Sequence, residues 1–292
     1  MFFRLSLIGL ICAASIAAQD APFTLKVDVA MVSLDVAVFN AGGIPVTNLQ
    51  QKDFQIYEDG RRQELRTFAS SDTPYNALLI VDRSGSMRSQ FPLLIQAVNR
   101  FIGNLRSQDR FALAAFDDSV KRLISWRSVR EGPAKTVQLG SGGNTDFYKA
   151  LDWATDELKK VSGRRAVLVF SDGEDYRLYD PIVNAKAFRK VEQTIRQSRV
   201  PFHFVGLGAD PKYGGAQIEE LAEISGGHAY FPESIEAVVP LYDQISRELG
   251  ISYTLAYLSD RPERDGTQRH IEVVVAQKGL RVSLSRSGYS AN

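Results

Sequence analysis

The sequence predicts an α/β fold, in which a doubly wound, mostly parallel sheet is inserted in, or flanked by, a small all-β, sandwich-like domain. Two observations lead to this prediction. Residues 76–249 alternate short apolar runs with segments of helical spacing, which is typical of a parallel sheet covered by helices on both faces. Residues 22–72 and 251–289 instead alternate apolar and polar side chains between turn signals, as antiparallel strands do. With 292 residues, of which 44% are hydrophobic, the chain is long enough for one large or two smaller domains.

Residues 1–18 are expected to form a secretory signal peptide. Arg4 precedes the apolar run of residues 5–16, and Ser15-Ile16-Ala17 fits a cleavage site between small residues. A buried N-terminal helix or a membrane anchor is the alternative, but the run is shorter than the ~20 residues that a membrane span requires. We therefore expect a secreted protein of the periplasm, the cell envelope or the extracellular space, with no transmembrane segment in the mature chain.

The charge balance argues against two classes of partner, nucleic acids and anionic membranes. The chain has 35 basic and 34 acidic residues, and the loss of Arg4 with the signal peptide would leave 34 of each. A balanced surface favours neither nucleic acid nor an anionic membrane. The single cysteine, Cys12, would also be removed, so the mature chain has to be held together by its hydrophobic core.

Residues 22–72 contain two signals of β structure. Along residues 22–40 the apolar positions change parity near Met31, and such a shift turns the buried face of a strand over. We therefore expect a bulge or a bend at that point. Asp59-Gly60 separates two further alternating runs and predicts a hairpin of residues 54–58 with residues 63–68.

The C-terminal segment repeats this pattern. Lys278-Gly279 predicts a tight hairpin of residues 269–276 with residues 280–285. Neither end segment is large enough to bury its own strand faces. The simplest arrangement is therefore one β-sandwich formed by residues 22–72 and 251–289 together, and two separate small β units are the alternative.

The central segment is expected to contain five helices. Their apolar residues recur every three or four positions, and the expected helices are residues 91–105, 147–161, 181–195, 218–224 and 234–249. Asp180 is expected to cap the third of these, with Pro181 in its first turn and Ile182 on its apolar face. Ser234 is expected to cap the last helix, which Gly250 would end. The strands between the helices are expected at residues 77–82, 110–116, 166–170, 202–207 and 228–231, with residues 120–124 as an antiparallel edge.

Polar loops follow the apolar strands of this segment. The strand of residues 77–82 ends in Asp82, and Ser84 and Ser86 follow at alternate positions. One carboxylate and two hydroxyl groups are hard oxygen donors, which suit Mg²⁺ or Mn²⁺. Residues 141–146 and 171–175 form two more polar loops, and ligands of parallel sheets bind at the carboxyl ends of the strands. The sequence therefore predicts a metal site built from three loops.

The ordered set of these residues resembles the von Willebrand factor type A domain, which has a Rossmann-like fold, and its metal-ion-dependent adhesion site. The family pattern is Asp-x-Ser-x-Ser in the first loop, a threonine in the second and an aspartate in the third, and the matching residues are Asp82, Ser84, Ser86, Thr145 and Asp172. The resemblance implies that Ser84 and Ser86 ligate Mg²⁺ directly, with Mn²⁺ or Ca²⁺ as alternatives. It also implies that Thr145 ligates the ion directly in some ligand states. Asp82 and Asp172 are expected to contact the ion largely through water molecules.

The segments outside this region carry a resemblance of their own. Asp53-Phe54-x-x-x-Glu58-Asp59-Gly60 and the C-terminal motif that ends in Ser287-Gly288-Tyr289 are similar to segments of secreted bacterial proteins, common in acidobacteria, that contain a related domain. This similarity agrees with the expected secretion.

Helix capping is the alternative explanation for single residues in these loops. Asp82, Ser84 or Ser86, taken alone, would each be suited to cap the helix that follows. Asp146 is expected to cap the helix that begins at Phe147, and support of the metal site is its alternative role. Capping does not explain matching positions in three separate loops, which favours the metal site.

The resemblance implies a protein-binding module of the adhesion type. Few direct carboxylate ligands leave a divalent ion incompletely neutralised, so an Asp or Glu carboxylate of a protein partner can complete its coordination. The alternative is a structural or assembly subunit of the envelope, whose metal site is mainly stabilising and whose β-domain carries recognition. Motifs for nucleotide binding or nucleophilic hydrolysis are not found, and His203, His228 and His270 lie apart from any candidate nucleophile. We therefore expect no enzymatic activity.

Overall fold

A computed structural model of the protein describes residues 31–131, 142–206, 208–210, 212, 214–261, 263 and 265–291. The predicted signal peptide, residues 1–18, and the part of residues 22–40 that precedes Met31 lie outside the described residues. No helix within the described part of the chain is both long enough and apolar enough to span a membrane.

The described elements follow one another in three groups: strands, then alternating strands and helices, then strands. In chain order the strands are β1 (Met31–Phe39), β2 (Phe54–Glu58), β3 (Arg61–Gln63), β4 (Leu65–Ala69), β5 (Tyr75–Asp82), β6 (Arg110–Phe116), β7 (Val120–Ser128), β8 (Arg164–Phe170), β9 (Phe202–Val205), β10 (Ala229–Tyr230), β11 (Tyr253–Leu258), β12 (Gln268–Val275), β13 (Arg281–Leu284) and β14 (Gly288–Ser290). The α-helices are α1 (Phe91–Asn104), α2 (Phe147–Leu158), α3 (Pro181–Ser198), α4 (Gly214–Ser225) and α5 (Val238–Ile251).

The central sheet has the strand order β10-β9-β8-β5-β6-β7, and only β7 runs antiparallel to its neighbour. Strand β5 is buried along its whole length, because helices cover both faces. Its alternate residues Leu79 and Val81 contact the core beneath α1 and α5, whereas Leu78 and Ile80 contact the core beneath α2, α3 and α4. This arrangement confirms the predicted doubly wound, mostly parallel sheet. The antiparallel edge β7 extends beyond the predicted residues 120–124.

The strands from the two ends of the chain form two antiparallel sheets, of order β13-β1-β11-β4 and β14-β12-β2-β3. Each sheet contains strands from both ends, so the predicted all-β domain is continuous in space although its two segments are far apart in sequence. The facing sides share one apolar core, to which Leu34 and Tyr253 contribute from one sheet and Ile56 and Ile271 from the other. The fold class is therefore as predicted, with an α/β domain between the two parts of a sandwich-like domain.

The first predicted hairpin is only partly correct. Asp59 and Gly60 join β2 to β3 with φ angles of 48° and 76°, as a tight hairpin turn requires. The predicted strand of residues 63–68 is wrong as a single strand, because it is divided at Glu64. Strand β3 stays with β2, while β4 crosses to the other sheet and pairs with β11.

The second predicted hairpin, of residues 269–276 with residues 280–285, is wrong. Strand β12 pairs with β2 and β14, and β13 pairs with β1 in the opposite sheet. Ile271 of β12 and Val282 of β13 pack into the same core from opposite sheets. Although β12 and β13 are adjacent in sequence, they therefore face each other across the sandwich core and do not pair within one sheet. The short strand β14 was not predicted.

Two helix predictions also need correction. Asp180 caps α3 through the amides of Ile182 and Val183, as predicted, but the Ile182 side chain is 83% exposed. The fully buried residues of α3 are Val191 and Ile195. The apolar spacing therefore predicts burial correctly for the later turns of the helix but not for its first turn.

The last helix begins later than predicted, because a 3₁₀ turn (Ile235–Ala237) follows Ser234 and α5 starts at Val238. Ser234 accepts a hydrogen bond from the Ala237 amide through its carbonyl oxygen (3.2 Å) and is not the N-cap residue of α5. The helix also continues through Gly250, where a Cβ would meet open space. It ends where the amide and the hydroxyl of Ser252 both donate to the Glu248 carbonyl.

Candidate metal centre

The first loop of the candidate site follows β5, the central and most buried strand. Asp82 ends the strand and has no exposed surface. Its Oδ1 accepts a hydrogen bond from the Ser84 amide (2.8 Å), which folds the loop back over the carboxylate. Ser84 is buried and Ser86 is exposed, so the two hydroxyl groups lead from the strand end towards the surface.

The side chains of the first and third loops converge. The hydroxyl oxygens of Ser84 and Ser86 lie 3.1 Å apart, and Ser86 donates to Asp172 Oδ2 at 2.8 Å. Below them, Ser171 donates to Asp82 Oδ2 at 2.7 Å. Three of the five predicted site residues, Ser84, Ser86 and Asp172, are therefore linked by short contacts between oxygen atoms. Asp82 is joined to them through the Ser84 amide.

Thr145, the fifth predicted residue, lines an open cleft of about 410 Å³ together with Ser84 and Ser86. Its carbonyl oxygen accepts a hydrogen bond from the Tyr176 amide (2.9 Å), so the second loop is connected to the chain that follows the third. The structure thus places all five residues at one end of the central sheet, with Thr145 at the cleft.

The electrostatics of this region favour a cation. The pKa of Asp82 is raised to about 7, first by burial and further by the charge of Asp172, although hydrogen bonds from Ser84 and Ser171 oppose the shift. Asp172 is 8% exposed. None of the ion pairs between described residues involves either carboxylate. Two neighbouring buried carboxylates without a basic partner are costly, and a divalent cation would compensate them.

The donor set fits Mg²⁺ in its chemistry. All the candidate donors are oxygen atoms, of which two are carboxylates and three are hydroxyl groups, and a hard cation prefers such ligands. Within the described residues, no group of three or more His, Cys, Asp or Glu side chains is arranged to hold a metal. A metal at this position would therefore depend on the hydroxyl oxygens of Ser84, Ser86 and Thr145.

Asp117, which the sequence analysis did not identify, connects the first and second loops. It directly follows β6, is buried, and forms an ion pair with Arg83 (2.5 Å). Burial would raise the pKa of Asp117, but hydrogen bonds from Ser119 and the charge of Arg83 outweigh it and lower the pKa. Its carbonyl oxygen accepts from the Asp146 amide (2.7 Å), and the Arg83 carbonyl accepts from the Gly142 amide (3.0 Å). Asp117 could have been found from the sequence, because it directly follows an apolar strand. The same pattern identified Asp82.

Arg177 connects the second and third loops and was also missed. Its guanidinium group donates to Asp146 Oδ1 and to Asp175 Oδ1, both at 2.9 Å, and lies 4.1 Å from the centre of the Tyr176 ring. Asp146 also accepts from the Lys149 amide (3.2 Å), which confirms the predicted cap of α2. No periodic or motif signal in the sequence indicates this arginine.

Helix α4 supports the third loop by direct backbone contact. A Cβ on Gly214 would lie 2.2 Å from the Asp172 carbonyl oxygen, so only glycine fits there. Gly173, with φ of 77°, is equally constrained, because its Cβ would lie 2.7 Å from the Gly214 carbonyl oxygen. These two glycines therefore allow the third loop, which contains Asp172, to lie directly against the start of α4.

Comparisons with known proteins agree with this geometry. The family model of the von Willebrand factor type A domain matches residues 77–174, a range that includes all three loops. The chain contains a von Willebrand factor type A domain. In this domain the six-stranded sheet provides the first and third loops, and the second loop leads into α2.

Two solved structures have a similar fold. The first, described as "von Willebrand factor type A from Catenulispora acidiphila", has 10% sequence identity and a TM-score of 0.52, over 90% of this chain and 74% of that one. The second is a mutant of the PilB minor pilin from Streptococcus sanguinis, with 10% identity and a TM-score of 0.53, over 76% of this chain and 79% of that one. At this identity the similarity shows the fold alone. A comparison with curated proteins found no match.

Proposed function

We propose that the protein is a divalent-metal-dependent binding module, which captures an acidic side chain of a protein partner through Mg²⁺. The residues that would hold the ion are Asp82, Ser84, Ser86, Thr145 and Asp172. The observation that carries this proposal is the convergence of oxygen atoms from separate loops beneath an open cleft. Mn²⁺ or Ca²⁺ are alternative ions, since both accept the same oxygen donors.

The chain would prepare the ligands, and the ion would supply the positive charge that attracts a carboxylate. Hydrogen bonds to Asp82 from Ser84 and Ser171 hold this carboxylate in one orientation beneath the cleft. Asp172 accepts a hydrogen bond from the Ser86 hydroxyl group and so holds this group in one orientation. Because Asp82 and Asp172 would act largely through water, as the family resemblance implies, a bound divalent ion would keep its affinity for a further anionic ligand.

We further propose that the protein acts outside the cytoplasm and is not an enzyme. The signal-peptide pattern of residues 1–18 supports secretion to the periplasm, the cell envelope or the extracellular space. The structural similarity to a minor pilin agrees with a role in binding at a cell surface. Each carboxylate of the site accepts a hydrogen bond from a serine hydroxyl group of the other loop, which suits ion binding rather than proton transfer.

Calorimetric titration of Mg²⁺ into chelator-treated protein tests the proposal. We expect one bound ion in the wild type, and at least about a tenfold loss of affinity in Ser86→Ala, because a ligating oxygen is lost while Ser86 is exposed and its removal leaves no cavity. Ser89→Ala removes an exposed hydroxyl group from the next turn and is the matched control, with unchanged affinity expected. Equal isotherms for the wild type and Ser86→Ala would refute the metal assignment.

A second measurement separates adhesion from the structural alternative. In a pull-down from the native cell envelope, EDTA should abolish capture of the partner while the melting temperature changes little. A large fall in melting temperature, with capture retained by the β-sandwich, would favour a structural or assembly subunit instead.

A further inference from the structure

Exposed apolar side chains are concentrated beside the candidate metal centre. Among the described residues, seven large hydrophobic side chains are exposed, and four of them lie within residues 176–183. We call these four, Tyr176, Tyr179, Ile182 and Val183, the apolar platform. Tyr179 is 92% exposed and Ile182 is 83% exposed. A cluster of this kind on an otherwise polar surface is typical of a binding site.

The apolar platform is continuous with the metal centre. Tyr176 and Tyr179 line the same cleft as Ser84, Ser86 and Thr145. The cleft volume of about 410 Å³ is within the range of sites that hold a small ligand or a few side chains. A ligand whose carboxylate reaches the hydroxyl groups would therefore have apolar surface next to it.

The platform is held in place by polar contacts beneath it. The Tyr176 amide donates to the Thr145 carbonyl (2.9 Å), and Asp175 caps the short 3₁₀ turn in which Tyr176 and Tyr179 lie. Asp180 caps α3 through the amides of Ile182 and Val183, both at 3.1 Å. The exposed side chains thus project from a fixed backbone, so a ligand would not have to order the backbone on binding.

The fold itself does not require apolar residues at these positions. The first turn of α3 buries neither Ile182 nor Val183, and the helix packs on the sheet through its later residues, such as Val191. Polar residues would serve as well in an exposed first turn and would favour solubility. Their apolar character is therefore best explained by a ligand that covers them.

The charge of the cleft limits the kind of partner. Glu174 lines it and is exposed, and it stands two residues from Asp172. Asp175, also at the cleft, is already paired with Arg177. An additional acidic residue on the partner would be repelled by Glu174, whereas an apolar neighbour would meet the platform.

We propose that the site recognises an extended segment of a protein partner in which a single acidic residue is directly flanked by apolar residues. The carboxylate enters the metal centre and the apolar side chains cover the platform. The inference rests on the proposed function and specifies its partner. In an extended segment each residue advances by about 3.3 Å, so neighbouring residues can occupy both parts of one cleft.

Synthetic peptides test the inference by calorimetry with the full mature chain, in saturating Mg²⁺ and again in EDTA. The probe is Ac-Ser-Gly-Asp-Leu-Leu-Gly-Ser-NH₂, together with the reversed order Leu-Leu-Asp. In two comparison peptides the leucines are replaced by serine or the aspartate by asparagine. We expect the better leucine peptide to bind about tenfold tighter than the serine peptide, only with Mg²⁺, and the asparagine peptide not to bind.

The variant Tyr179→Ser/Ile182→Ser should remove the leucine advantage and leave the affinities for the serine peptide and for Mg²⁺ unchanged. Both side chains are exposed, so the fold should be retained, which circular dichroism and the melting temperature verify. The matched control is Ile44→Ser/Val274→Ser, which changes two exposed apolar residues of the β-sandwich and should retain the advantage.

The outcomes that overturn the inference are distinct from those that overturn the proposed function. Mg²⁺-dependent binding of the aspartate peptides without a leucine advantage, or with an advantage that survives in Tyr179→Ser/Ile182→Ser, overturns the inference alone. Equal binding of the leucine peptides in EDTA, or no binding of any peptide, overturns both. Self-association of the protein that this variant abolishes would assign the platform to a contact between copies and would also overturn the inference.

Discussion

At the scale of single residues, the candidate site is a set of hydroxyl groups that hold two buried carboxylates. Ser171 donates to Asp82 and Ser86 donates to Asp172. The Ser86 hydroxyl group still has oxygen lone pairs after donating its proton, so it can bind a metal ion on its other side. Serine is therefore suited to this position, where alanine would remove both the orienting hydrogen bond and the candidate ligand.

A second group of polar residues lies away from the candidate metal centre, between the two domains. His203 is 3% exposed, and its ring nitrogens have no hydrogen-bond partner within the described part of the chain. Its ring lies 5.9 Å from that of His228, and Asp35 and Glu248 line the adjoining cavity. Burial, and then the charge of His228, lower the pKa of His203 to about 3.

This histidine predicts a loss of stability in acid. The ordinary pKa of 6.5 applies to the unfolded chain and about 3 to the folded protein, so below pH 6.5 the unfolded state gains a proton that the folded state does not. From pH 6.5 to pH 5 the free energy of unfolding should fall by about 2 kcal/mol through this group. Denaturant unfolding at several pH values should show a smaller fall in His203→Phe.

The control for this experiment is His270→Phe, which changes an exposed histidine and should keep the pH dependence of the wild type. An identical pH dependence in the wild type and His203→Phe would contradict the account of the buried ring.

The convergence of the candidate site residues at one end of the sheet could be predicted, because their order in the sequence is characteristic. Asp82, Ser84 and Ser86 are close in sequence and follow a strand that is recognisable from its composition. Arg177 could not be predicted, since its role depends on the spatial position of Asp146 and not on any local pattern. The prediction also failed for Ile182, whose spacing fits a buried face that the first turn of α3 does not have.

At the scale of elements, the third loop depends on its contact with α4. The helix begins with Gly214 and Gly215, and the first of these touches the Asp172 carbonyl so closely that a methyl group cannot be accommodated. Glycine is normally unfavourable in a helix, so its presence at this end is explained by the contact. The packing of an element thus sets the position of a site residue that belongs to another element.

Gly214→Ala should therefore displace the third loop. We expect a loss of stability of about 1–3 kcal/mol from overpacking, together with weaker Mg²⁺ binding because Asp172 moves away from Ser86. The matched control is Gly103→Ala in α1, where a Cβ meets open space; it should be neutral or stabilise by up to about 1 kcal/mol. Thermal unfolding and Mg²⁺ calorimetry measure both effects, and equal behaviour of the two variants would contradict the contact.

The elements themselves were easier to predict than their pairing. Fully apolar strands and amphipathic helices are visible in local sequence, and α2 begins at Phe147 and β6 ends at Phe116 as expected. Which strands pair with each other instead depends on the packing of the whole sandwich, and β12 and β13 accordingly belong to different sheets. Local alternation indicates that a strand forms but does not indicate to which sheet it belongs.

At the scale of the whole molecule, one buried arginine joins the two domains. Arg164 begins β8, is 2% exposed, and donates to the carbonyl of Leu249 in α5 (2.9 Å) and to the hydroxyl of Thr254 in β11 (3.3 Å). Its guanidinium group also lies 4.9 Å from the centre of the Tyr75 ring. The sandwich is thus packed against the sheet end opposite to the candidate metal centre, and the cleft is left open.

The most direct test of the metal centre is anomalous diffraction from crystals grown with Mn²⁺, which scatters anomalously and uses the same ligands as Mg²⁺. We predict one anomalous peak in the cleft, in direct coordination of the hydroxyl oxygens of Ser84 and Ser86, and its absence from crystals of Ser86→Ala. A map from wild-type crystals at saturating Mn²⁺ that shows no peak at these oxygens would contradict the metal assignment.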